Sequence, residues 1–240
     1  MIRLHVEDDL SPDRELALPD AQGRYLVQVM RRGPGDEVLV FNGRDGEWLA
    51  RVSAAGRREV RLRVERRTRV QDPAGGPVLV LALIKRTPLE TAVAKAVELG
   101  VAGIRLVTTE RTNADHTRID RLEAIATEAA EQTGRLDVPA IHPPEPLGSA
   151  LDALGEAAAV VFCDEAGEAP PLLVALGGVP AGGIAVLIGP EGGFSPGERA
   201  ALRARSGVIP ASLGPRILRA DTAALAALAL IQAAAGDWRA

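Results

Sequence analysis

Aromatic residues are scarce in this 240-residue chain: Phe, Tyr and Trp together make up 2 %. Any core must therefore be assembled from Val, Leu, Ile and Ala. The single cysteine, Cys163, excludes an intrachain disulfide and a zinc site built from several thiolates. The three histidines, His5, His116 and His142, are scattered and form no cluster that predicts a metal site. Long apolar runs are also missing. The most apolar segment, 223–235, is too short to span a bilayer and contains Gln232. The opening MIRLHVEDDL has acids where a signal peptide would have an apolar run. These absences predict a cytoplasmic protein with no membrane partner and no metal.

What is present is ordinary globular composition, 47 % hydrophobic and 25 % charged, with a net charge of −4. An acidic total argues against a nucleic-acid binder, but the charge is uneven. From Arg51 to Arg69 there are eight arginines and two acids. In REVRLRVERR, the apolar Val60, Leu62 and Val64 alternate with Arg61, Arg63 and Glu65. Read as a strand, this turns an apolar face inward and an arginine face outward. Such a face is also how a solvated sheet edge protects itself.

The chain has two textures. Residues 1–70 hold short alternating runs between turns, with Asn42-Gly43 between two strand patterns, and predict a small β-barrel or sheet. Residues 71–77, QDPAGGP, read as a linker. From 78 to 240, apolar runs such as VLVLALI and IAVLI alternate with helical patterns. That rhythm predicts an α/β domain with a mostly parallel sheet covered on both faces. Thr87-Pro88-Leu89-Glu90 and Ser195-Pro196-Gly197-Glu198 both read as capping boxes that open helices. A last helix is expected from about Thr222.

In such sheets ligands sit beyond the carboxyl ends of the strands. Three turns qualify: those after AVVFC (159–163), after IAVLI (184–188) and after Ile209. Two of them carry Gly-Pro, at Gly189-Pro190 and Gly214-Pro215. Neither matches a phosphate-binding glycine pattern, no lysine follows, and Glu191 would repel a phosphate. A carboxylate among open backbone groups suits a neutral or cationic ligand better, such as an adenosine carrying a sulfonium. A tight ligand-free turn is the competing reading for each loop alone.

IGPEGGFS (188–195) together with LGPRILRADTA (213–223) resembles the RsmE family of SPOUT-class RNA methyltransferases. KRTPLETAVAKAVELGV (85–101), TTERT (108–112), EAAEQTGR (128–135) and the N-terminal YLVQVMRRGPGDEV resemble further family segments in the same order. The sequence departs from the family pattern at Tyr25, at Met30, and at Ala220-Asp221. The resemblance implies methylation of N3 of a uridine in small-subunit (16S) ribosomal RNA, with S-adenosylmethionine as methyl donor. It also implies a SPOUT-type α/β domain with a trefoil knot, an N-terminal PUA-like β-barrel, and a homodimer acting on this RNA or on the assembling small subunit. Another RNA target, or a non-catalytic RNA-binding protein on the same scaffold, is the alternative.

By the same resemblance, Ile188, Gly189, Glu191, Gly192 and Gly193 in one loop, and Leu213, Gly214, Ile217 and Leu218 in the other, are the candidate cofactor contacts. Phe162 and Cys163 end the preceding strand and are within reach of the same place. Arg219 is the candidate catalytic cation, able to stabilise a uracil anion, with a salt bridge to Asp221 or Glu191 as its alternative role. Arg3, Arg31, Arg32, Lys85, Arg111, Gln132 and Arg135 are the candidate RNA contacts.

Overall fold

A computed structural model describes residues 1–240 except 57–58, 74, 115–116, 156–157, 166–168, 178, 180–182 and 240. His116 and part of the arginine-rich stretch, Arg57 and Arg58, lie outside the described residues. The chain forms two compact units: Met1–Pro73 with Ala130–Val138, and Ala74–Ala129 with Pro139–Ala240.

The first unit is a five-stranded sheet of β1 (Arg3–His5), β2 (Glu15–Ala17), β3 (Glu37–Phe41), β4 (Glu47–Ala55) and β5 (Val60–Arg69), in the order β1-β3-β4-β5-β2. β1 runs parallel to β3 and the other pairings are antiparallel. The alternation along β5 is realised: Val60, Leu62 and Val64 are buried while Arg61, Arg63 and Glu65 are exposed. The turn between β3 and β4 is shaped by buried Asn42, whose Oδ1 accepts from the Arg44 and Asp45 backbone N–H groups. A short helix α1 (Asp20–Arg24) runs on into a π-helical turn, Tyr25–Val29.

Segment 130–138 groups with this unit because arginines satisfy its carbonyls. Arg3 donates to the Ala130, Glu131 and Arg135 carbonyls at 3.1, 3.1 and 2.7 Å, and Arg69 donates to that of Gly134 at 2.7 Å. The last carbonyls of a helix have no partner within it, so cations close that end.

The second unit holds β6 (Val78–Ala82), α2 (Arg86–Glu98), β7 (Gly103–Thr108), most of α3 (Ile119–Thr133), β8 (Ala140–Pro146), α4 (Leu147–Ala153), β9 (Ala159–Cys163), α5 (Leu172–Ala175), β10 (Ile184–Ile188), α6 (Pro196–Ala204), β11 (Val208–Ala211) and α7 (Ala220–Ala235). Its six strands are all parallel, in the order β11-β9-β10-β6-β7-β8. All five residues of central β10 are buried, which explains why IAVLI is an unbroken apolar run. Each Ile, Val and Leu side chain there contributes about 1.5–3 kcal/mol by leaving water. Among the described residues no helix is long and apolar enough to cross a membrane.

The two expected capping boxes part ways. At α6 both reciprocal bonds form: Ser195 Oγ accepts from Glu198 N–H at 3.1 Å, and Glu198 Oε2 accepts from Ser195 N–H at 2.9 Å. At α2 the helix begins earlier, at Arg86, with Lys85 as N-cap and no side-chain cap. Leu89 N–H already bonds to the Lys85 carbonyl, so Thr87 and Pro88 are inside the first turn. Pro88 is tolerated there because its missing N–H would have had no helical partner. Glu90 pairs instead with Arg86 at 2.8 Å. α7 likewise starts earlier than expected, at Ala220 with Arg219 as N-cap.

Candidate functional site

β9, β10 and β11 are neighbours, so the three turns at their carboxyl ends meet. They enclose a cavity of about 410 Å³ lined by Cys163, Asp164 and Glu165 from the first, Ile188, Gly189, Pro190, Glu191 and Gly193 from the second, and Ser212 to Leu218 from the third, with Ala220 and Ala223 of α7. That volume falls within the range of small-molecule sites. Both Gly-Pro turns therefore border one space.

The loop after β10 is built around its glycines, each for a separate reason. A Cβ on Gly189 would lie 2.7 Å from the Phe194 ring. Phe194 is buried and packs edge-on against Phe162, with centroids 5.1 Å apart. Gly193 has φ +64°, and a Cβ there would run into the Glu165 carboxylate. Pro190 to Gly193 close a turn, Gly193 N–H donating to the Pro190 carbonyl at 2.9 Å.

The wall after β9 is held by ions. Asp164 is fully buried at its carboxylate, which accepts from Arg199 at 2.9 Å and from Arg203 at 2.7 Å. Arg199 also donates to Glu165 at 2.7 Å. Both arginines project from α6, so the helix that the capping box starts also fixes this wall. A buried charge lacking such partners would cost several kcal/mol. Cys163 lines the cavity with a buried thiol that desolvation pushes up to about 12, too high for a nucleophile at neutral pH.

Of the nine residues expected to touch a cofactor, Ile188, Gly189, Glu191, Gly193, Leu213, Gly214, Ile217 and Leu218 line the cavity. Gly192 does not; it faces Arg111, whose Cβ would be 3.3 Å from a Cβ at 192. Ile217 is 86 % exposed, which removes core packing as its role. Arg219 is exposed, does not line the cavity, and among the described residues makes no salt bridge to Asp221 or Glu191. Phe162 is in the core and only Cys163 reaches the space. Sequence reasoning missed Asp164 and Glu165; the acid pair directly after the AVVFC strand was the available signal.

The expected RNA contacts are scattered over both units. Arg3 is committed inside the first unit, with a side chain 10 % exposed, a salt bridge to Glu47 at 2.8 Å, and the Phe41 ring 4.6 Å below it. Arg135 is held by Asp137 at 3.0 Å, so the outward display expected at the end of α3 does not extend to it. Arg31, with φ +54°, Arg32 and Gln132 are exposed on the first unit. Lys85 and Arg111 are exposed on the second, and Arg111 donates to the Gly192 carbonyl at 3.1 Å. His5 lies edge-on to Phe41, and His142 is exposed on β8. Among the described residues no group of His, Cys, Asp or Glu could hold a metal ion.

The cavity fits S-adenosylmethionine. Ile188, Leu213, Leu218 and Ala223 offer apolar walls for a purine, and Glu165 and Glu191 offer negative charge for an amine or sulfonium. At Gly214, φ is +103° and the space a Cβ would occupy is open to 4 Å, leaving the backbone approachable.

Comparison with known proteins agrees with this geometry. A family model described as an RNA methyltransferase domain matches residues 76–232, and one described as an RNA methyltransferase PUA domain matches 18–65. The chain is 32 % identical to the ribosomal RNA small subunit methyltransferase E of Synechocystis sp., over 96 % of this chain and 77 % of that protein. It is 31 % identical to the protein of the same name from Mycobacterium bovis, over 96 % and 91 %. The crystal structure of a ribosomal RNA small subunit methyltransferase E from Neisseria gonorrhoeae, bound to S-adenosylmethionine, superposes with a TM-score of 0.84 at 28 % identity, covering 97 % of each chain.

Proposed function

This chain belongs to the ribosomal RNA small subunit methyltransferase E family, and from that premise we propose that it methylates N3 of a uridine in small-subunit ribosomal RNA. It is an S-adenosylmethionine-dependent RNA methyltransferase. The observation that carries the reading is the single cavity shared by the three strand-end turns, with both glycine loops on its wall. When bound, S-adenosylmethionine supplies an electrophilic methyl group.

The protein's own part is to bind, orient and polarise. Ile188, Leu213 and Leu218 would hold the apolar part of the cofactor, and Glu165 and Glu191 would supply negative charge to its cationic part. N3 of neutral uracil carries a proton and becomes nucleophilic when that proton leaves. Arg219 is the cation assigned to the resulting anion: it caps α7 beside the cavity-lining Leu218 and Ala220, and its guanidinium is exposed. The helix N-terminus adds positive potential at the same spot. N3 is a pairing edge, so the uridine is presented unstacked.

The finer reading includes an N-terminal PUA-like domain over 1–70, a linker over 71–77 and a knotted SPOUT domain over 78–240, acting as a cytoplasmic homodimer. The family-model matches to both halves support the two domains. Packing of α7 on α2 and β10, beside the loop after β11, supports the knot. The exposed Leu173, Val174 and Ile217 support a covered surface in the dimer.

The test is methyl transfer from labelled S-adenosylmethionine to small subunits that lack the modification, with the product mapped by nuclease digestion and mass spectrometry. N3-methyluridine in small-subunit RNA is the expected product. Label on a ribose hydroxyl or on another base would replace the uridine reading; no label in any RNA would leave a binding protein.

A further inference from the structure

The cofactor loop is gripped from outside the cavity as well as within it. The segment after β7, residues 109–112, reaches this loop although β6 lies between β7 and β10 in the sheet. One hydrogen bond ties this segment to the loop and another to the first turn of α6, which follows the loop. Glu110 N–H donates to Glu198 Oε1 at 2.8 Å, the carboxylate oxygen that the capping box leaves over. Arg111 Nη1 donates to the Gly192 carbonyl at 3.1 Å. Packing adds a third link, since Arg111 Cβ occupies the place beside Gly192 that a side chain would need.

The Gly192–Gly193 peptide is thereby oriented at both of its polar ends. Its carbonyl is held by Arg111, and its N–H is held by the Pro190 carbonyl. On the cavity side, the Glu165 carboxylate fills the space beside Gly193. The two adjacent glycines are thus seats for two side chains of opposite charge, delivered by the turns after β7 and β9. Glu191 and Gly193, the residues on either side of Gly192, both line the cavity.

We infer that Arg111 is a positioning residue for the cofactor loop: through the Gly192 carbonyl it sets the turn that binds S-adenosylmethionine, before any RNA is present. The inference rests on the reading of the cavity as the cofactor site. It separates from the expectation that Arg111 is an RNA contact, because an RNA contact acts only when RNA is bound.

The experiment is calorimetric titration of S-adenosylmethionine, without RNA, into the full chain and into Arg111→Met, Arg111→Lys, Gly192→Ala, Arg111→Gly and the last two combined. Arg111→Met keeps the Cβ and the length but removes the donor. It is expected to raise Kd about fivefold, the size of one lost hydrogen bond, at an unchanged unfolding midpoint. Arg111→Lys restores a donor and should stay within about twofold of wild type. Gly192 is not in the left-handed region, and the three atoms nearest to an alanine Cβ there all belong to Arg111, its Cβ foremost at 3.3 Å. Its effect on Kd should shrink when Arg111→Gly removes the opposing Cβ.

Wild-type binding left intact by Arg111→Met, with RNA affinity and its salt dependence reduced instead, would overturn the inference and make Arg111 an RNA contact. Equal effects of Gly192→Ala in both backgrounds would overturn the seat. Absence of binding by the wild type removes the reading of the cavity and the inference with it, an outcome distinct from the other two.

Discussion

Cys163 ends β9 and is one of the residues that line the cavity, yet chemistry is closed to its buried thiol. Burial alone lifts the thiol to about 12, so at pH 8 its thiolate fraction is about 10⁻⁴ against about a quarter for a free cysteine. Iodoacetamide should therefore label the folded chain at least about a hundredfold more slowly than the urea-unfolded chain. Similar rates, followed by mass spectrometry, would mean that the thiol is open to solvent. Arg3 shows the converse case, a cation that sequence placed at an RNA surface and that folding turned into a cap for the carbonyls of 130–135. Nothing in IRLHV distinguishes those roles, because the carbonyls that decide lie more than a hundred residues away.

At the scale of the element, α6 is the piece on which the site depends. Its N-terminus is closed by the capping box, its first turn ties down the segment after β7, and its arginines clamp Asp164. Ser195→Ala should cost about 1 kcal/mol of stability, as cap removal does elsewhere. Thr87→Ala, at the pattern that resembles a cap but is not one, should stay within about 0.5 kcal/mol. Urea denaturation of the two variants side by side checks this, and equal losses would contradict the assignment of both caps. The two tetrapeptides look alike in sequence. They differ because the N-cap position before α2 falls on Lys85, whose side chain has no acceptor for a backbone N–H, whereas before α6 it falls on Ser195, whose hydroxyl accepts from Glu198.

For the whole molecule, the cavity proposed to take the cofactor is lined entirely by residues of the second unit. A ligand at a hundred times its Kd stabilises the state that binds it by about 2.7 kcal/mol. In differential scanning calorimetry, S-adenosylmethionine should raise the unfolding temperature. If the two units melt in separate transitions, only that of the second should move. A shift of the other transition, or of neither, would contradict the placement of the site.

Much of this was legible in the residues themselves. Alternation in β5, unbroken apolar runs in β6 and β10, the α6 capping box and the paired Gly-Pro turns are all local patterns, and local patterns follow from neighbours in sequence. Together with the resemblance they predicted two units and a parallel sheet, which the structure has, and two loops bordering one space, proposed here to hold the methyl donor. The order β11-β9-β10-β6-β7-β8 is different in kind. It brings together residues with no sequence relation: Glu165 beside Gly193, and Arg111 on a carbonyl 81 positions away. A glycine in a sequence shows only that a side chain is absent. Which group fills the gap, whether cofactor, carboxylate or guanidinium, was decided by the tertiary structure alone, because two atoms cannot share the space that strand order assigns to one.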